Sequence, residues 1–151
     1  MHAYRHSYPD EPQRTCWLED PYPNTPNHTV LLIEAFGDHQ VANIATETEA
    51  RTIGAYVRTP TIAPGRSNDL VPFWGIPAVP SNPFGGSVLE LWDFGTPAPP
   101  TASIPPESPQ YGSDPHGAPR NVPAVRDQVS AFLQAAGTFI DVCGTYPCHY
   151  P

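Results

Sequence analysis

The chain has 151 residues, the size of one ordinary domain, with seven basic residues against fifteen acidic and a formal net charge of −8. All seven basic residues are arginine and they form no stripe, which makes nucleic acid and anionic lipid poor partners. Charged residues make up only 15%, too few for a coiled coil, and no apolar run approaches the ~18 residues of a membrane-spanning helix. Proline (22) and glycine (11) together fill about a fifth of the chain, which stays short of low complexity.

Residues 1–28 are polar and rich in aromatics and proline, and read as a lead-in without regular structure. Thr29–Phe36 then carries four consecutive aliphatics, Val30-Leu31-Leu32-Ile33, closed by Gly37-Asp38. Such a run predicts a strand covered on both faces. From Gln40 to Gly54, Val41, Ile44, Ala45, Thr48 and Thr52 recur at helical spacing, with Asp38 placed to cap the helix and Gly54 to stop it. Residues 57–86 break up around prolines and glycines, with Phe73, Trp74 and Ile76 among them. Ser87–Phe94 is a second strand; Glu90 and Asp93 interrupt its apolar residues, which predicts a place nearer a sheet edge than the first. A proline-rich connection (Gly95 to Pro115) leads to a last helix, with Val122, Val125, Val129, Phe132 and Leu133 on one face, Asn121 as N-cap, Pro123 in the first turn and Gly137 at the end.

Strand, helix, strand, helix is an α/β order with parallel strands. Two parallel strands do not make a stable sheet, and residues 29–36 call for neighbours on both edges. The expected fold is therefore a piece of a larger sheet: two parallel strands, two helices and long proline-rich loops. In such sheets reacting groups gather beyond the carboxyl ends of the strands. Gly37-Asp38-His39-Gln40 follows the first strand, and Ser113-Asp114-Pro115-His116-Gly117 precedes the last helix. An acid after one strand and a histidine after the next supply a hydrolytic relay, in which the carboxylate orients an imidazole that serves as base for a nucleophile.

On these residues the chain resembles the C-terminal third of an α/β-hydrolase, whose triad runs Ser, Asp or Glu, His along the sequence. The stretches Asp20-Pro-Tyr-Pro-Asn-Thr-Pro, Val30-Leu-Leu-Ile-Glu-Ala-Phe-Gly-Asp-His-Gln-Val41 and Asp114-Pro-His-Gly-Ala-Pro-Arg120 resemble large bacterial hydrolase-like proteins of the serine esterase or lipase type. The likeness spans about residues 20–148 and divides the chain into a lead-in (1–28), a β-α-β-α part (29–142) and a cysteine-bearing tail (143–151). It implies Asp38 as catalytic acid, His116 as catalytic base, a small ester or similar acyl substrate and no cofactor. No serine here stands in a Gly-x-Ser-x-Gly elbow, and Ser87 after Gly85-Gly86 starts a strand instead of ending one. The expectation is a chain inactive alone, whose main partner is the missing N-terminal part of the hydrolase domain. The rival reading is a truncated or split chain without catalysis, binding through exposed sheet edges.

Each candidate has a plainer explanation. Asp38 serves equally as a helix cap, His39 as an exposed loop residue, and Asp114 lies too close in sequence to His116 to orient its ring. Glu34, inside the first strand, reads as a satisfied or partner-facing carboxylate. Phe73, Trp74, Phe84 and Trp92 read as core packing, and Asn27-His28-Thr29 matches an N-glycosylation sequon. Cys143 and Cys148 bracket the turn-rich Gly-Thr-Tyr-Pro and are expected to form a disulfide, with Cys16 left over. Beside them His149 suggests a metal, but the set falls short of the usual four ligands. A disulfide implies an oxidising compartment. The N-terminus has no apolar signal region, so the expectation is an exported protein (periplasmic, outer-surface or secreted) whose signal lies outside this chain.

Overall fold

The structure is a computed structural model and describes residues 23–24, 26–102 and 104–150. The expectations for the lead-in up to residue 22, Cys16 included, lie outside the described residues. In chain order the elements are β1 (Leu31–Ala35), α1 (Asn43–Thr52), β2 (Tyr56–Val57), β3 (Val88–Asp93), a 3-10 turn (Ala118–Asn121), α2 (Pro123–Phe132) and β4 (Cys148–His149). Every strand pairing is parallel. β1 pairs with β3 from Leu31↔Val88 to Ala35↔Trp92, and the opposite edge of β3 is shared by β2 at its start and β4 at its end. This is an α/β arrangement of parallel strands and a few helices.

Side chains alternate across the sheet. Leu32, Phe36, Leu89 and Leu91 face α1 and join Ala50, Ala55, Val57, Phe73 and Ile76 in one core. Ile33 and Trp92 face α2 and pack with Val122, Val125, Val129 and Cys148 in the other. The sheet thus lies between two helices.

Three expectations are corrected. β3, expected near an edge, is central: all six of its residues are buried, and Glu90 and Asp93 are tolerated there because each finds donors. β1 has β3 on one side and, among the described residues, no strand on the other. The sheet has four strands, not two. The extra pair, β2 and β4, are two residues long, too short to carry any period. The face of α1 is also reversed: Glu47 and Ala50 are buried while Val41 and Ile44 are exposed. Asn43 explains the reversal, because its side chain accepts from Gly37 N–H at 2.8 Å and donates to Ala35 O at 2.7 Å. That clamp turns positions 43, 47 and 50 inward.

Helix ends differ as well. The N-cap of α1 is Ala42, and that of α2 is Val122, with no side-chain cap at either. Asn121 belongs to the 3-10 turn, and α2 stops at Phe132, before Gly137. Of the aromatic group, Phe73 and Trp92 are buried and Phe84 packs edge-on to Tyr56 at 4.9 Å, but Trp74 is exposed.

Candidate functional site

At the end of β1 the chain turns at Gly37, whose φ of +77° and whose approach to Thr96 and Pro97 leave no room for a Cβ. Thr96 Oγ1 donates to Phe36 O at 2.7 Å across this contact. Arg66 reinforces it with two 2.7 Å bonds to the Asp93 carboxylate and a guanidinium 5.0 Å from the centre of the Phe36 ring. Burial works against the Asp93 charge, but the Arg66 bonds and the Gly95 N–H outweigh it and lower its pKa. The carboxyl ends of β1 and β3 are therefore held as one rigid ledge.

Asp38 stands on that ledge. It does not cap α1, as one reading of the sequence has it; Oδ1 accepts from Gln40 N–H at 2.7 Å and Val41 N–H at 3.0 Å, closing a turn ahead of the helix. Its second oxygen, Oδ2, lies 2.8 Å from Nδ1 of His116. The structure thus brings together two residues 78 positions apart in the chain. Among the described residues no group bonds Nε2 of His116, and the ring is about a quarter exposed.

Asp114 does not touch the ring, yet it positions it. Its Oδ1 accepts from the backbone N–H of His116 at 3.0 Å and of His39 at 3.2 Å, and Oδ2 accepts from Gln40 Nε2 at 2.7 Å. Burial opposes its charge, but these bonds together prevail and lower its pKa. Asp114 therefore laces the two loops that carry Asp38 and His116. The sequence signal was the Asp114-Pro115 turn, which sets a carboxylate over the following amides. His39 points to Tyr111 O at 3.4 Å and away from Asp38.

Beside the pair, a cleft of about 580 Å³ follows the outer edge of β1 between α1 and α2, lined by Ile33, Glu34, Val41, His116, Val125 and Val129. Glu34 is 3% exposed, and both its carboxyl oxygens lack a partner among the described residues. Burial, reinforced by the charges of Glu47 and Asp38 and only partly offset by the nearby Asn43 amide and the charge of Arg51, raises its pKa well above the ordinary glutamate range.

At the other side of the sheet Cys143 and Cys148 form a disulfide, with Cα atoms 5.2 Å apart. One carboxylate oxygen of Glu90 and the two sulfurs lie within 4.8 Å of one another. Sulfurs joined to each other have no thiolate to offer a metal, and His149 is exposed on β4. No described helix is long and apolar enough to cross a membrane. Comparison of the chain with protein-family models, with curated proteins and with solved structures finds no match.

Proposed function

We propose that this chain is the C-terminal part of an exported bacterial α/β-hydrolase-type serine hydrolase, acting on an ester or related acyl compound. Asp38 holds the His116 imidazole through Nδ1, so that Nε2 takes the proton of a serine supplied by sequence outside these 151 residues and later returns it to the leaving group. The observation that carries this reading is the 2.8 Å contact between Asp38 and His116 beyond the carboxyl ends of two adjacent parallel strands. The edge of β1, without a strand partner among the described residues and flanked by a cleft along Ile33–Ala35, supports the further part: the rest of the domain adds its next strand there. The disulfide supports an oxidising compartment.

The test starts from the reading frame upstream of Met1, which is expected to encode Gly-x-Ser-x-Gly after a strand. In the protein reconstituted with that segment, Asp38→Asn is expected to lower kcat on a p-nitrophenyl ester by about 10⁴-fold, because an amide holds the wrong tautomer, with folding nearly intact. A frame without such a serine, or full turnover in both Asp38→Asn and His116→Ala, would leave the chain a non-catalytic binding piece.

A further inference from the structure

The disulfide is unequal at its two ends. Cys148 is 1% exposed on β4, beside Trp92 in the sheet, whereas Cys143 is half-buried and lines a groove of about 540 Å³. Trp92, Val122, Val142, Tyr146 and Tyr150 also line that groove, a mostly apolar and aromatic surface that includes His149. An external thiol approaching along it meets the sulfur of Cys143 and cannot reach that of Cys148.

Behind the bridge stands Glu90, fully buried, with a carboxyl oxygen within 4.8 Å of both sulfurs. Its oxygens accept from Trp92 Nε1 at 2.8 Å and Gln128 Nε2 at 3.1 Å, which fixes the carboxyl plane. The charged groups acting on it are Arg58, just after β2, and Asp141, ahead of the cysteine loop, and they pull in opposite directions. Burial prevails and raises its pKa, so the neutral carboxyl persists above the ordinary glutamate range.

The bridge is also not alone in holding the tail. Arg58, 2% exposed, donates to Gly144 O and Tyr146 O at 2.6 Å each, to Asp141 Oδ1 at 3.0 Å and to Pro60 O at 2.7 Å. Two of these acceptors lie inside the loop between the cysteines, and β4 is hydrogen-bonded to β3. With the S–S bond opened, these bonds remain to hold the loop and β4. A pair that remains poised after reduction is suited to exchange, and a buried carboxyl beside the inner sulfur supplies what exchange needs, a local proton donor and acceptor.

We propose that Cys143–Cys148 is a thiol–disulfide exchange site, in which external thiols attack Cys143 and Glu90 passes a proton to and from Cys148. A thiolate RS⁻ bonds to the sulfur of Cys143, the Cys143–Cys148 bond breaks, and its electron pair goes to the sulfur of Cys148. That sulfur takes the proton of the Glu90 carboxyl. A second thiolate attacks the sulfur of R, releasing Cys143 as thiolate and RSSR; Cys143 and Glu90 then take up from solvent the protons the two thiols gave up. The protein disulfide and two RSH thus become a dithiol and RSSR. In reverse, the Glu90 carboxylate removes the Cys148 proton so that its thiolate can close the bridge.

The experiment uses the full chain carrying Cys16→Ser, with dithiothreitol as reductant, alkylation and mass analysis to count thiols, and circular dichroism to follow folding. The bridge is expected to open and close reversibly while the chain stays folded. Per reductant thiolate, opening is expected to be at least tenfold faster than in the same chain with Glu90→Gln. The rate is also expected to fall with rising pH in the parent and stay flat in the variant. A bridge that opens only on unfolding, or equal rates with parallel pH profiles, overturns the proposal. Should Glu90→Gln not fold, the single-cysteine chains decide. Cys148→Ser is expected to form a mixed disulfide with glutathione at Cys143, and Cys143→Ser to react at Cys148 at least 100-fold more slowly. Equal reactivity of the two sulfurs overturns it.

Discussion

Glu34 and Glu90 are buried on neighbouring strands, one position out of register and on opposite faces of the sheet, yet they live in different structures. Around Glu90 the fold is closed: Trp92 and Gln128 donate to its oxygens, and Arg58 locks the tail that covers it. Around Glu34 the fold is open, because among the described residues β1 has no outer neighbour and the carboxyl oxygens make no hydrogen bond. A buried polar group without a partner costs roughly 1–3 kcal/mol, more when charged. One half of the sheet therefore supplies partners for its carboxyl group, though Gln128 Oε1 has none among the described residues, and the other half is shaped to receive them. The candidate catalytic pair lies on the open half.

The largest expected effect is on the closed half. Arg58→Ala removes four hydrogen bonds and takes this donor from the carbonyls of Pro60, Gly144 and Tyr146, while Asp141 keeps the Cys143 and Gly144 N–H groups, at a cost of about 3–5 kcal/mol in urea unfolding. A loss below about 1 kcal/mol would mean the tail is held by the disulfide instead, and the contrast between the halves would weaken.

On the open half the expected effect has the opposite sign. The raised pKa of Glu34 means the folded chain binds its proton more tightly than the unfolded chain. Stability contributed by the neutral form is complete below the ordinary glutamate value and is lost as pH climbs through the raised folded value, by up to ~1.4 kcal/mol per pH unit. Glu34→Gln should therefore leave stability unchanged near pH 4 and raise it by about 1 kcal/mol or more near pH 8. Melting temperatures across that range check it. A variant less stable at every pH would show that Glu34 is paired after all.

The smallest effect concerns the ledge that both halves share. Asp93 has a lowered pKa, so the stability it adds is present above the ordinary aspartate value and fades as pH falls through the lower folded one. Since Arg66 is 30% exposed on its side chain, Arg66→Ala should cost only about 1 kcal/mol at pH 7 and less in acid, where Asp93 is protonated and the bond to Thr96 O and the Phe36 contact remain. Equal losses at both pH values would assign the effect to lost packing on Phe36 instead of charge.

The closed half was the harder one to read from sequence. Arg58 and Gln128 look like solvent-facing residues in a loop and on a helix, and nothing local says that each will be sealed against the carbonyls it serves. Asp38 and His116 were more legible, because each sits in a strand-turn-helix setting whose order along the chain is itself the signal. The apolar stripe of α1 misled, since Asn43 overrides it.

What the sequence by itself determined is the type and order of the long elements: the aliphatic run of β1, the spacing of Val122, Val125 and Val129 in α2, and the polar turns after each strand. These follow from near-neighbour spacing, which any window of the chain contains. Only the tertiary structure decided which strand is central, which face of α1 turns inward, and that the carboxylate of Asp38 meets the imidazole of His116 at 2.8 Å. Those outcomes depend on pairings across tens of residues, such as Asp114 with Gln40 and Arg58 with Tyr146. A polar side chain states what it can donate or accept; the fold chooses with whom.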